Sequence, residues 1–405
     1  MCLAHNLRHA SIMGPQARTA SGSALIREIA ALGRSRVADG PTMREGDVLR
    51  SFRVLRAAVV TVAFATAWLV AGAARPEGPV VGWGDNVYGQ ATPPAAVNGA
   101  TGTATAIAAG YRHSCAIQAS AANVVCWGDN SEGQATPPPS LGTATAISAG
   151  GNHSCAIQTG TGNVVCWGSN PYGQATPPPS VNGATGTATA ITAGFNHSCA
   201  IQAGTGYVVC WGYNSDGQAT PPPSVNGTAG TATAIAAGGY HSCAVQASTG
   251  YVVCWGYNFN GDATPPPAVN GTAGTATAIA ASDLHSCAIQ TSTGYVVCWG
   301  YNFYGQATPP AAVDGTAGAA TAIAADGSHS CAIQTGTGYV VCWGDNSQGQ
   351  ATPPAAVNGT TGTATAIAAG GTHALAIAAP EPAAALVGAA SLGSLLALAR
   401  RRRRG

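Results

Sequence analysis

The sequence predicts an all-β fold of the β-propeller type, built from a repeated unit of about 44 residues. The first observation is a Trp-Gly pair at seven positions, which begins at Trp83, Trp127, Trp167, Trp211, Trp255, Trp299 and Trp343. Successive pairs are 44 residues apart, except for one spacing of 40. The second is the content of each unit, where short Val-, Ile- and Cys-bearing runs alternate with Gly-, Asn- and Pro-rich segments. Short strands at this period, with one Trp each, are typical of propellers.

Residues 188–221 illustrate the strands that we expect in one unit. Strand A covers 190–194, strand B 197–202 and strand C 207–211, and a short strand D covers 218–220. The proline triplet that follows strand D disfavours a central strand and places the return segment at an edge or in a loop. Each unit is therefore predicted to be a four-stranded blade.

Twelve of the thirteen Cys form six pairs with a spacing of eleven residues. Pairing Cys155 with Cys166 also pairs Ile157 with Val164, and it leaves residues 160–161 as a two-residue turn. Directly opposed Cys residues are within reach of a disulfide. Zinc is the alternative, but it normally requires CxxC-type spacing or four convergent ligands. We expect an oxidising compartment and the disulfides Cys115–Cys126, Cys155–Cys166, Cys199–Cys210, Cys243–Cys254, Cys287–Cys298 and Cys331–Cys342.

The seventh Cys pair is missing at both of its positions, which hold Leu375 and Gly82. Both partners disappear together if one blade combines the C-terminal strands of the repeat region with residues 80–92. We therefore expect a noncovalent closure, with this blade as the weakest point of the ring.

The unit resembles the regulator-of-chromosome-condensation repeat. That family has a Gly-x-x-His-Ser opening, present here at 194–198, and a Trp-Gly-x-Asn-x-x-Gly-Gln ending, present at 211–218. The resemblance covers residues 80–378. It implies a seven-bladed propeller, and the missing Cys pair indicates that pairing of the N- and C-terminal segments closes the ring.

Composition and charge exclude several functions. Only 8% of the 405 residues are charged, and Arg112 is the only Lys or Arg between residues 79 and 379. Such a surface lacks the basic patch that a nucleic-acid partner needs. Ser follows the repeated His in six units, but no acidic residue recurs beside it, so a catalytic triad is disfavoured. We expect no enzyme activity, metal or cofactor. Each repeated His is expected to satisfy backbone groups at a blade corner, and each repeated Trp to pack between blades. The repeated Tyr before strand C is expected to be structural as well, at Tyr207, Tyr251, Tyr295 and Tyr339.

Candidate binding residues lie where the units differ. In a blade whose strands alternate in direction, the A–B and C–D loops share one face. Aromatic residues concentrate in these loops, where they suit stacking on sugar rings or anchoring a protein partner; the alternative is that they only cover Gly-rich loops. The candidates are Tyr111, Arg112, Phe195, Tyr213, Tyr240, Tyr257, Phe259, Asp283, Leu284, Tyr301, Phe303 and Tyr304. The expected function is binding of a protein or polysaccharide; inhibition of an enzyme through one face, or hydrolase or lyase activity, are alternatives.

The N-terminal region predicts export. Residues 43–74 combine four Arg, the apolar run 57–70 and a small-residue segment at 71–73, which is typical of a signal peptide. Residues 1–42 precede this signal. We interpret them as a doubtful, disordered extension, because Met43 is a plausible true start of the protein. A genuine extension with a weak helix is the alternative.

The C-terminal region predicts sorting to the cell envelope. The propeller is expected to cover 79–379, followed at 380–405 by the motif Pro380-Glu381-Pro382, the apolar stretch 383–399 and an Arg cluster. This order resembles a PEP-CTERM sorting tail with a transmembrane helix. The resemblance implies an exosortase-type processing enzyme as a partner and a location at the surface of a Gram-negative cell or outside it. A simple membrane anchor is the alternative.

Overall fold

The computed structural model describes residues 77–380, which form seven three-stranded antiparallel sheets and no α-helix. The first strand of each repeated unit is the inner strand of its sheet: β2 (Ala104–Ala109), β5 (Ala144–Ala149), β8 (Ala188–Ala193), β11 (Ala232–Ala237), β14 (Ala276–Ala281), β17 (Ala320–Asp326) and β20 (Ala364–Ala369). The middle strands begin at the repeated His: β3 (His113–Gln118), β6 (His153–Gln158), β9 (His197–Gln202), β12 (His241–Gln246), β15 (His285–Gln290), β18 (His329–Gln334) and β21 (His373–Ala378). The outer strands end at the Trp-Gly pair: β1 (Val80–Gly84), β4 (Val124–Gly128), β7 (Val164–Gly168), β10 (Val208–Gly212), β13 (Val252–Gly256), β16 (Val296–Gly300) and β19 (Val340–Gly344).

The pairing of middle and outer strands confirms the predicted register. Cys155 lies opposite Cys166, and Ile157 lies opposite Val164. All six predicted disulfides are present, with Cα atoms 4.0–4.1 Å apart. The two-residue turn is wrong, because the Gly162 N–H donates to the carbonyl of Gln158 and the chain needs four residues to reverse. This connection leaves the disulfide register unchanged.

The predicted fourth strand is also wrong. Residues 218–220 belong to a turn, and every sheet has three strands. The carbonyl of Gln218 accepts hydrogen bonds from Ser242 Oγ and Trp255 Nε1 of the next sheet. The Ala219 N–H donates to the side chain of Asn214. These backbone groups already have partners, so a further ladder does not form.

We number the sheets by their inner strands in chain order, so that the first contains β2 and the seventh contains β20. The seventh sheet combines the two ends of the described region, as the missing Cys pair predicts. Its order is β1-β21-β20, and Gly82 lies opposite Leu375. The sheet also contacts both of its neighbours. Trp83 packs with Ile333 of the sixth sheet, while Leu375 packs with Ala109 of the first.

The hydrophobic core lies between successive sheets. Ile157 and Val164 of the second sheet, for example, pack against Ala200 and Trp211 of the third. The middle strands are buried on both faces: the first five residues of the sequence His-Ser-Cys-Ala-Ile-Gln are all buried, including the polar His and Ser. Glycine follows each Trp for a steric reason: Gly168 has φ +96°, and a Cβ there would lie 2.7 Å from the carbonyl oxygen of Asn152.

The predicted segments 1–42 and 43–74, and all of 380–405 except Pro380, lie outside the described residues. Between residues 77 and 380, no helix combines the length and apolar character needed to cross a membrane.

Candidate binding face

The repeated polar residues join neighbouring sheets. Ser154 Oγ lies 2.8 Å from His113 Nε2 of the preceding sheet and donates to the carbonyl of Gln134, 3.0 Å away. Trp167 Nε1 donates to the same carbonyl at 2.8 Å. Six sheets use this His–Ser contact, with Nε2–Oγ distances of 2.7–2.8 Å. The Trp packs between sheets as expected, whereas the His bonds to a side-chain hydroxyl and not to backbone groups.

These His–Ser contacts are unsuited to nucleophilic catalysis. A Ser hydroxyl has one proton, and here it goes to a backbone carbonyl, of Gln in five sheets and of Asp262 in the other, so the His must donate from Nε2. Burial lowers the pKa of all seven histidines from 6.5 to about 3 or 4. A neutral His that donates its proton to Ser cannot serve as the base that activates it. The pairs instead connect the sheets.

The seventh sheet lacks one such contact. Ala374 occupies the Ser position, and His329 Nε2 of the preceding sheet is buried without a hydrogen-bond partner. Trp83 Nε1 still donates to the carbonyl of Gln350 at 2.9 Å. The junction between the sixth and seventh sheets therefore has one connection fewer than the others.

The loops between inner and middle strands lie beside the loops that follow the outer strands, and together they form what we call the aromatic face. Tyr240 comes from the first kind of loop and Tyr257 from the second, and their ring centroids are 6.3 Å apart. A continuous row of ring contacts, with centroids 5.6–6.5 Å apart, joins Tyr111, Phe195, Tyr240, Tyr257 and Phe259. The structure thus brings five of the candidate residues together.

The other candidate aromatics form two further ring clusters on these loops. Tyr301 and Phe303 stack with centroids 6.4 Å apart, and Tyr304 meets Phe303 edge-on at 5.0 Å. Tyr213 pairs with Tyr172 at 4.9 Å. Burial raises the pKa of the Tyr240 hydroxyl, and the nearby Asp283 carboxylate adds to this effect, followed by Tyr213, Asp216 and Tyr172.

Two tyrosines of this face were missed by the sequence prediction, namely Tyr172 and Tyr88. Both lie five residues after their Trp, as Tyr304 does. An alignment of the units at this position would have identified them. Tyr88 also explains the position of Arg112, whose guanidinium carbon is 5.1 Å from the ring centroids of both Tyr88 and Tyr111. Arg112 Nη1 donates to Tyr88 Oη at 3.3 Å.

Exposure separates residues that fill space from residues that are available to a ligand. Phe259 is 86% exposed and Phe303 is 76% exposed. Leu284, by contrast, is partly buried, and its carbonyl accepts the Tyr301 N–H. Both rings contact a neighbouring aromatic ring, but most of their surface remains in water at the loop tips. They are the strongest candidates for direct contact with a ligand.

Four tyrosines at the opposite face are repeated and structural. Tyr207 lies over Gly227, where an added Cβ would be 2.6 Å from its ring. Tyr251, Tyr295 and Tyr339 have the same relation to Gly271, Gly315 and Gly359. This packing supports the prediction that the repeated residues are structural.

The seven inner strands line one central cavity of about 410 Å³. Its walls are mainly Ile and Ala side chains. Tyr111, Phe195, Asp283 and Asp326 also line it, so the candidate residue Asp283 faces the cavity and not the outer part of the aromatic face. No group of three or more His, Cys, Asp or Glu residues within 77–380 has the arrangement of a metal site.

This geometry defines a repeat β-propeller with an aromatic face at one end of its central cavity. The family "Regulator of chromosome condensation (RCC1) repeat" matches six segments, namely 104–134, 144–174, 188–218, 232–262, 276–306 and 320–350. These segments begin with the inner strands of the first six sheets. The predicted resemblance is thus confirmed for the repeats, and the seventh sheet lies outside the matched segments.

Solved structures support the same fold. The ectodomain of the Physcomitrella patens receptor kinase CR4 is 27% identical, with a TM-score of 0.52 over 65% of this chain and 68% of that one. The ectodomain of the Arabidopsis thaliana receptor kinase ACR4 is 24% identical, with a TM-score of 0.51 over 66% of this chain and 91% of that one. Yeast RCC1 (Prp20), in a structure bound to Kap60, is 14% identical, with a TM-score of 0.59 over 86% and 96%. The comparison with curated proteins gave no match.

Proposed function

We propose that the protein is an exported, non-enzymatic scaffold that binds a macromolecular partner through the aromatic face. The observation that carries this proposal is the exposure of Phe259 and Phe303, 86% and 76%, on loops that otherwise follow the repeat. Aromatic side chains and Arg are enriched among the residues that dominate protein–protein binding energy. A protein partner is the leading class, and a polysaccharide, whose sugar rings stack on the same side chains, is the second.

The proposed scaffold is a closed, seven-bladed ring. The pairing of β1 with β21 and the contacts of the seventh sheet with the sixth and the first support this interpretation. A closed ring has no free sheet ends and holds the loops of successive blades at fixed positions. Aromatic rings on such loops form a rigid surface, which lowers the entropic cost of binding.

Export is supported by the six disulfides, which suggest an oxidising environment outside the cytoplasm. We propose that residues 43–74 direct secretion and that the tail beginning at Pro380 is cut by an exosortase-type enzyme of a Gram-negative envelope. The protein would then act at the cell surface or in the extracellular matrix. The two ectodomains of receptor kinases that are similar to this chain are consistent with such a location.

Affinity capture from the native cell envelope tests the proposal. The protein is immobilised, and the retained proteins and sugars are both identified. Wild type is compared with the double variant Phe259→Ala/Phe303→Ala and with the control Tyr251→Ala/Tyr295→Ala, which removes two rings of the opposite face from the same two blades. We expect the first variant to capture at least tenfold less material than wild type and the control to capture as much as wild type. Equal capture by all three proteins would exclude this site.

A further inference from the structure

The mouth of the central cavity is asymmetric. At the two positions after the last Ala of each inner strand, the second, fourth and seventh sheets have Gly-Gly pairs. The first and third sheets instead have Tyr111 and Phe195, while the fifth and sixth have Asp283 and Asp326. All four side chains line the same cavity. In the order of the sheets, aromatic rings therefore occupy one part of the mouth and carboxylates another.

Neighbouring glycines bring these side chains into the mouth. A Cβ at Gly371 would lie 2.6 Å from the ring of Tyr111, so this ring lies directly over the seventh sheet's loop. A Cβ at Gly239 would lie 2.9 Å from Asp283 Oδ1, so this carboxylate lies over the loop of the fourth sheet. The Tyr111 and Phe195 rings meet edge-on with centroids 5.6 Å apart. The two rings therefore contact each other, and they line the same cavity as the two carboxylates.

The two carboxylates have no basic partner in the part of the chain that the structure describes. Its one His–carboxylate contact joins His241 and Asp262 elsewhere, and its one Arg, Arg112, lies between two tyrosines outside the cavity wall. Burial raises the pKa of Asp326 well above its usual value, and the charge of Asp283 adds to this effect. Burial also raises the pKa of Asp283. A positive group placed between them would remove this unfavourable interaction.

We propose that the cavity mouth binds one organic cation, an alkylammonium or guanidinium group, between the carboxylates of Asp283 and Asp326 and the rings of Tyr111 and Phe195. Aromatic faces attract such cations, and carboxylates pair with them. The Ile and Ala side chains of the wall suit the alkyl stem of a Lys or Arg side chain. The proposal rests on the proposed function, since it makes a basic side chain of the bound protein the anchor in the cavity. A metal ion fits less well, because calcium needs six to eight oxygen ligands.

The test uses n-butylammonium as the probe, titrated into the full-length protein and followed by ligand-observed NMR. The variant Asp283→Asn/Asp326→Asn removes both charges at nearly constant volume. The control Asp216→Asn removes an exposed carboxylate of the aromatic face that does not line the cavity. We expect saturable binding by wild type and by the control, at least tenfold weaker binding by the double variant, and no saturable binding of 1-butanol. Unchanged affinity of the double variant, equal binding of butanol, or full displacement of the probe by millimolar calcium would overturn the proposal.

Affinity capture then distinguishes a free amine from a side chain of the partner. If the anchor belongs to a partner protein, the variant Asp283→Asn/Asp326→Asn retains at least tenfold less of that protein, and n-butylammonium competes with it. Weak probe binding by the variant with normal capture of the partner would show that the cation site takes free amines. The claim that a basic side chain of the partner is the anchor would then be wrong, and the proposed function would remain. Loss of capture in Phe259→Ala/Phe303→Ala with normal probe binding supports the aromatic face independently of the cavity.

Discussion

Replacing Ala374 with Ser is expected to stabilise the protein, because the seventh sheet lacks the hydroxyl that pairs with the preceding His. In the other six sheets, the Ser Oγ lies 2.7–2.8 Å from His Nε2 and 2.9–3.2 Å from the carbonyl that it donates to. His329 Nε2 is buried without a partner, and Ala374 is fully buried in the same backbone setting as the serines. The substitution would therefore supply the missing bridge.

The size of this effect follows from the cost of the unpaired donor. Leaving a buried donor unsatisfied costs about 1–3 kcal/mol, and each hydrogen bond contributes about 0.5–1.5 kcal/mol net. Burying the new hydroxyl offsets part of this gain. We expect Ala374→Ser to raise the free energy of unfolding by about 1–2 kcal/mol. The reciprocal change Ser154→Ala, which leaves His113 Nε2 unpaired, should lower it by about 1–3 kcal/mol.

Guanidinium unfolding under non-reducing conditions, followed by Trp fluorescence, measures both changes. The sheet without a disulfide is expected to open first, so Ala374→Ser should move the earliest transition to a higher denaturant concentration. A midpoint that is unchanged or lower for Ala374→Ser would refute the reasoning about the unpaired His329. An unchanged midpoint for Ser154→Ala would show that the His–Ser contacts add no stability.

Two further predictions concern the whole repeat and its closure. Burial lowers the pKa of seven histidines from 6.5 to about 3 or 4, so the unfolded chain binds protons first as the pH falls below 6.5. Stability is then lost with a slope of up to about 10 kcal/mol per pH unit for the seven together, and circular dichroism should show cooperative acid unfolding between about pH 6 and 4; a fold that is intact at pH 4 would contradict this. Leu375→Ala should cost about 2–4 kcal/mol, because it leaves a cavity where Leu375 is fully buried. Limited proteolysis should then cut first near residue 80, and first cleavage elsewhere would contradict a noncovalent closure at the seventh sheet.

The sequence predicts the sheets well where local spacing decides the structure. The eleven-residue Cys spacing determines which residues of the middle and outer strands face each other, as Cys155 and Cys166 do. Gly82 and Leu375 occupy the two positions of the missing Cys pair, and this predicts that they lie opposite each other although they stand at opposite ends of the repeat region. Both signals need no knowledge of how the sheets pack together.

Packing between sheets decides what the sequence does not predict. Residues 218–220 have the polarity of a short edge strand, but the next sheet uses the carbonyl of Gln218. The His113–Ser154 contact joins residues of different sheets and has no local pattern. The contact between Tyr111 and Phe195 likewise joins residues of the first and third sheets, 84 residues apart in the chain. Most aromatic residues of these loops were therefore predictable, with Tyr88 and Tyr172 as exceptions, while their division into a row, a cavity and separate clusters was not.

Hydroxyl-radical footprinting tests the central claim most directly, namely that the residues which break the repeat form the binding face. The full-length protein is oxidised alone and in its captured complex, and the modification of each aromatic side chain is compared. We expect protection of Phe259, Phe303 and Tyr240, with unchanged modification of Tyr251 and Tyr295 at the opposite face. Protection of Tyr251 and Tyr295, with Phe259 and Phe303 modified as in the free protein, would contradict the account.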